Sequence, residues 1–250
     1  IGTLLHYVYF ECVKLFRMPM FSVPTMLFPV LFFAMFGMPY VKDQMAGINA
    51  GCYMMSSFGT YAVMSMAMSS FSASVASERG SGWYRLLRTT PVTTRTYFIG
   101  KFTMAIVFEL ITLTALFTFG AFVAHIHMPI SKSLEVLGVL LCGTFPFIVL
   151  GFLLGLITGP NSATIVANLI FFPMSFASGL FMPLPLLPKF IQELAPYLPS
   201  YNLAEWGWTT LGAKGGHDIW TNIAWITGYT VGFLVLAIIA YHRDEYLTSS

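Results

Sequence analysis

The sequence predicts an all-α polytopic membrane protein with six transmembrane helices, an N-terminal interfacial helix, a short cytoplasmic helix between the second and third spans, and re-entrant outer helices before the last. Three observations predict it. Hydrophobic residues make up 57% of the 250-residue chain and charged residues 9%, against roughly 25% charged in a soluble domain; with a mean hydropathy of +0.76, the main solvent must be lipid. Uncharged stretches of the roughly 20 residues that cross a bilayer recur along the chain. Finally, the basic residues divide unequally between connections. With both termini inside, Lys14, Arg17, Arg79, Arg85, Arg88, Arg95, Lys101 and Arg243 fall on the cytoplasmic side, and Lys42, Lys132, Lys189 and Lys214 outside, the bias of the positive-inside rule. All of 1–250 reads as one transmembrane domain.

In residues 1–17, Leu4, Leu5, Val8, Cys12, Leu15 and Phe16 share a helix face, with Glu11, Lys14 and Arg17 mostly opposite. That suits a helix lying in the membrane interface, a frayed cytoplasmic tail being the alternative. Its charges follow the apolar run, the wrong order for a secretory signal. The chain opens on Ile1 rather than Met, so a few residues are expected to precede it. The first span is 18–41, expected to bend near its start at Pro19, Pro24 and Pro29. The second, 46–75, is rich in small and sulfur-bearing residues such as Ser56, Gly59, Ala67, Met68 and Ser70. Small residues let helices approach closely in lipid, so protein is expected to wrap it.

Ser77 to Lys101 is short and basic, with five positive charges against Glu78 alone. Trp83, Leu86 and Leu87 recur at i, i+3, i+4 and give an amphipathic helix within 77–91. Ser77 or Ser81 can cap it, and Pro91 drives Thr90 out of helical geometry. An ordinary loop whose arginines only fix topology is the alternative.

The third span, 97–124, carries Glu109, and an acid inside a membrane is a functional-site hypothesis by default. A carboxyl that is protonated, or hydrogen-bonded to a neighbouring helix near the interface, is the plainer reading. His125 and His127 follow in an outer loop; two imidazoles without a third ligand make weak evidence for a metal. The fourth and fifth spans, 136–157 and 162–181, part at Thr158-Gly159-Pro160-Asn161, a strong turn signal. Residues 183–210 are apolar but broken by proline. They are expected to form short helices at the outer surface, with Tyr197, Tyr201, Trp206 and Trp208 at headgroup depth. The sixth span is 219–241.

Several chemistries are missing. No phosphate-binding G-x-x-x-x-G-K-[ST] loop occurs, nor a soluble stretch able to hold a nucleotide-binding domain, so the chain is not expected to hydrolyse ATP itself. H-E-x-x-H, G-x-S-x-G and paired intramembrane acids are absent as well. Cys12, Cys52 and Cys142 read as apolar fillers. A net charge of +2, scattered over loops, gives no nucleic-acid footprint.

The pattern Glu78-Arg79-Gly80, then Trp83-x-x-Leu86-Leu87-Arg88-Thr89-Thr90-Pro91-Val92, then Gly100-Lys101, resembles the cytoplasmic segment of type-2 ABC exporter permeases. Ser178-Gly179-Leu180-Phe181-x-Pro183 with Leu187-Pro188, followed by Ala195-Pro196-x-Leu198-Pro199, is similar to that family's re-entrant region. Gly80-Ser81-Gly82 departs from the family's usual acid and glycine. The resemblance covers essentially the whole chain. It implies a permease of the bacterial plasma membrane that pairs with a second copy, identical or paralogous, and with two separate ATPase subunits that bind ATP and Mg. It also implies a coupling helix contacting the ATPase through Glu78, Arg79, Trp83, Leu86, Leu87, Thr90 and Pro91. A substrate path between the second and fifth helices would take in Met54, Phe58, Tyr61, Asn168, Phe172 and Phe176, plain helix packing being the alternative for each. The implied cargo is amphiphilic or hydrophobic: a drug, lipid-linked compound or glycan. Competing readings are a membrane-embedded enzyme or metal-handling protein using Glu109, His125 and His127, and a scaffold that transports nothing.

Overall fold

The structure, a computed structural model, describes residues 9–10, 13, 17, 19–81 and 94–249. Most of 1–17 and the coupling-segment residues Trp83, Leu86, Leu87, Thr90 and Pro91 lie outside the described residues.

Helix α1 (Pro19–Phe32) contains Pro24 and Pro29 and continues through a π-turn (Phe33–Gly37) and a 3-10 turn (Met38–Tyr40). Strands β1 (Gln44–Met45) and β2 (Ile48–Asn49) then pair antiparallel, Gln44 opposite Asn49 and Met45 opposite Ile48. Both turn residues have positive φ, 50° at Ala46 and 82° at Gly47, the twist that a two-residue hairpin demands. This hairpin delays the second long helix, expected from residue 46. Asn49 caps it instead, accepting from the Cys52 N–H at 3.2 Å and donating to the Val41 carbonyl at 2.8 Å. The helix runs as α2 (Ala50–Ser65), a π-turn (Met66–Ser70) and α3 (Phe71–Gly80). After the basic segment come α4 (Thr94–Phe122), α5 (Ile130–Cys142) and α6 (Phe145–Ile157), the last two parted at Gly143-Thr144. Then follow α7 (Ala163–Ala177), α8 (Lys189–Leu194), α9 (Pro199–Thr210) and α10 (Ile219–Ser249).

Among the described residues, four helical stretches are long and apolar enough to cross a membrane: Val23–Tyr40, Thr96–Phe122, Ile130–Ile157 and Ile219–Tyr241. The rod from Ala50 to Gly80 is not one of them, because serine, threonine, tyrosine and glycine dilute its apolar character. It does not have to face lipid: every residue from Ala50 to Met64 is buried, whereas 17% of the Val23–Tyr40 stretch and 11% of Ile219–Tyr241 are. The rod is the axis of the bundle, and its small residues allow the contact. A β-carbon at Gly151 of α6 would lie 2.3 Å from the Ala67 carbonyl oxygen, and one at Gly155 would lie 2.7 Å from Val75 Cβ. Helix α6 thus rests on the backbone of the π-turn and α3. Close approach of this kind replaces the hydrophobic effect as the force joining helices in lipid.

Candidate functional site

Where α3 and α4 approach the basic segment, two i, i+4 pairs face each other: Ser74 and Glu78 on α3, Tyr97 and Lys101 on α4. Residues four apart lie on one helix face, so four polar side chains meet. Lys101 Nζ donates to Glu78 Oε1 at 2.5 Å and to Ser74 Oγ at 2.6 Å. Tyr97 Oη donates to Glu78 Oε2 at 2.6 Å, and Ser74 Oγ to Glu78 Oε1 at 3.2 Å. Lys101 is 0% exposed and Glu78 7%. Buried charges need hydrogen bonds besides their mutual attraction, which Ser74 and Tyr97 supply here, and removing one partner of such a pair costs about 3–5 kcal/mol. Beside them, Arg79 Nη1 donates to the Leu156 carbonyl near the end of α6, where helix carbonyls lack intrahelical donors and the dipole favours a cation. The resemblance implies Glu78 and Arg79 as contacts and includes Lys101 in its motif without a role; it does not mark Ser74 or Tyr97, although the two i, i+4 spacings stand in the sequence.

The residues of the implied substrate path divide. Met54, Phe58 and Tyr61 are core, none more than 1% exposed. Asn168 is half-buried and accepts a hydrogen bond from Ser69 Oγ at 2.9 Å. Phe172 and Phe176 are 40% and 52% exposed. Phe176 is joined to the core through a side chain that hydropathy does not single out: buried Phe181 stacks on Phe176 at 4.4 Å and meets Tyr61 at 5.3 Å, Phe32 at 5.4 Å and Phe36 at 5.7 Å. Phe28 on α1 and Phe36 in the π-turn that continues it extend this aromatic surface, and neither α1 nor α7 carries a charge.

Glu109 is 1% exposed. Thr144, at the α5–α6 break, donates to its Oε1 at 2.6 Å, and Oε2 has no hydrogen-bond partner among the described residues. His125 and His127 are exposed beyond the end of α4. The helix from Glu109 to Phe122 alone is about 20 Å long, so the structure does not bring the acid and the imidazoles together. Among the described residues no group of three or more His, Cys, Asp or Glu could hold a metal.

At the end away from the basic segment, α9 packs on α2. Trp208 stacks on Tyr53 with ring centroids 4.3 Å apart, and its Nε1 donates to Ser57 Oγ at 2.9 Å. It is buried against protein, because Tyr53 and Ser57 supply both a stacking face and an acceptor. Tyr201 Oη donates to Glu205 Oε1 at 2.9 Å, and His217 Nδ1 lies 2.9 Å from Glu205 Oε2. The Lys214 N–H ties the following loop to the hairpin through the Ala46 carbonyl at 2.8 Å.

A family model described as "ABC-2 family transporter protein" matches residues 38–239. "Putative transport permease YvfS" of Bacillus subtilis (strain 168) is 26% identical to the chain over 239 residues, which cover 94% of this chain and 95% of that protein. A buried helical axis, apolar helices around it and a family match across most of the length agree: the chain belongs to the ABC-2 family of transporter proteins, as a multi-pass membrane permease that works with an ABC ATPase.

Proposed function

We propose that this permease is half of the membrane part of an ATP-driven exporter in the bacterial plasma membrane. Six spans cross it: α1, the α2–α3 rod, α4, α5 with α6, α7 and α10, with both termini and Ser77–Lys101 in the cytoplasm. Two ATPase subunits, which bind ATP and Mg, dock on the coupling helix within 77–91 of two permease copies. The observation that carries this reading is the joining of α3 to α4 through Glu78 and Lys101. The helix ends on either side of the 82–93 connection are therefore held together, which is where a handle would be offered to a soluble partner. The charge-free aromatic surface of α1 and α7 supports a second copy seated over Phe172 and Phe176, and an amphiphilic or hydrophobic cargo such as a drug, lipid-linked compound or glycan. Phenylalanine and methionine suit adaptable apolar recognition.

The test is the double substitution Leu86→Asp with Leu87→Asp in permease reconstituted with its ATPase. Buried apolar anchors carry most of the affinity of an interface, so each change is expected to weaken docking by at least about tenfold. Permease-dependent stimulation of ATP hydrolysis should disappear. Stimulation equal to that of the unaltered permease would sink the docking role.

A further inference from the structure

We infer that Glu78, Tyr97 and Lys101 are positioning residues: they lock the helix ends flanking residues 82–93 into one rigid base, and Arg79 hooks that base to the end of α6. The inference rests on the reading that the ATPase docks on that segment, and it reassigns Glu78 from contacting the ATPase to transmitting its push. A side chain that serves by touching a soluble partner must be reachable. The Glu78 side chain is 8% exposed and that of Lys101 1%, and their charges meet at 2.5 Å inside the bundle. The Glu78 carboxylate also takes the Tyr97 hydroxyl at 2.6 Å, so each of its oxygens is engaged by a residue of α4.

The position of the pair suits a brace. Glu78 lies two residues before the end of α3, and Tyr97 and Lys101 occupy the first two turns of α4. A force on the connecting segment moves both helices together only if their ends cannot slip, and a buried, hydrogen-bonded ion pair resists slip better than apolar contact because it is directional. The Arg79 bond to the Leu156 carbonyl adds α6 to the unit. That helix is already seated on the α3 backbone at Gly155, and it also packs against α10. The push therefore reaches four helices through one joint.

The experiment uses full-length permease co-purified with its ATPase and returned to lipid nanodiscs, with Mg-ATP as the probe. Glu78→Gln and Lys101→Met are each expected to lower permease-dependent stimulation of ATP hydrolysis by roughly tenfold or more, while the amount of ATPase that co-purifies stays within about twofold of the parent. Tyr97→Phe removes one hydrogen bond without unpairing a charge. It is expected to fold where the charge variants fail to, and to lower stimulation by about threefold. Two results would overturn the inference: stimulation near the parent level in Tyr97→Phe and in whichever charge variants fold, or a loss of stimulation that merely tracks a loss of bound ATPase, which would make these residues docking contacts. Parent permease that captures no ATPase would instead refute the docking reading beneath it, so the two failures are distinguishable.

Discussion

Replacing Gly151 by valine is expected to leave little correctly packed permease in the membrane. The first added carbon would sit 2.3 Å from the Ala67 carbonyl oxygen, 3.1 Å from Phe71 Cβ and 3.2 Å from Met68 Cα. Two of these three atoms are backbone and the third is a β-carbon, so none can swing aside as the tip of a long side chain would. Either α6 lifts off the rod or the π-turn deforms, and overpacking of this kind costs about 3 kcal/mol or more. The loss is not confined to one contact, because α6 also carries the acceptor for Arg79 and begins at the break that holds Glu109. At Gly138 and Gly228 an added β-carbon would meet nothing within 4 Å, so alanine there should be neutral or slightly stabilising through helix propensity. Thermal midpoints of detergent-solubilised, fluorescently tagged permease check this. A valine variant as stable as the Gly138→Ala control would contradict the packing of α6 on the rod.

Removing Trp208 is expected to be the most damaging change at the opposite end. Its indole stacks on Tyr53, meets Tyr201 at 5.9 Å and donates to Ser57; truncating a buried tryptophan to alanine typically costs about 3–5 kcal/mol. Trp208→Phe keeps a stacking ring and loses the N–H donor. Ser57 Oγ still donates to the Tyr53 carbonyl at 3.1 Å, so no buried hydroxyl is stranded and the cost should be about 1 kcal/mol. The order alanine much worse than phenylalanine, read from thermal midpoints and from protease sensitivity of the 211–218 loop, is the expected outcome. Equal effects would mean that stacking on Tyr53 does not hold α9 against α2.

Much of this molecule is legible without its structure. Hydropathy marks the membrane-crossing stretches because lipid tolerates few charges, and the serine- and glycine-rich composition of 46–75 points to a helix shielded by protein, as the burial of Ala50 to Met64 bears out. The start of that helix is less legible. The hairpin at Gln44–Asn49 occupies residues whose hydropathy is compatible with either state, and a positive φ at Ala46 has no signature in composition. The site is legible in part. Glu78, Arg79, Phe172 and Phe176 stand out from motif and pattern, but their partners do not. Lys101 reads as a topology marker, although a lysine four residues after a tyrosine, opposite a glutamate four residues after a serine, is a pairing that the spacings allow. Phe181 closes an expected span, and nothing in its neighbourhood of the chain hints that Phe32, Phe36, Phe58, Tyr61 and Phe176 gather on it. Thr144, the donor to Glu109, lies 35 positions further along, beyond any local pattern.

The sequence by itself determined which stretches are apolar enough to cross a membrane and which are too polar to, since the transfer cost of a charge or an apolar side chain belongs to the residue wherever it ends up. It also determined family membership through motifs spread along the chain. Only the tertiary structure decided which helix is the axis, that Glu78 turns inward to Lys101 instead of outward, and that Met54, Phe58 and Tyr61 are core while Phe172 and Phe176 stand at the surface. Those outcomes depend on which helix faces meet, and that is set by the fit of Gly151 and Gly155 against the backbone of a rod far earlier in the chain, a relation that no single segment contains.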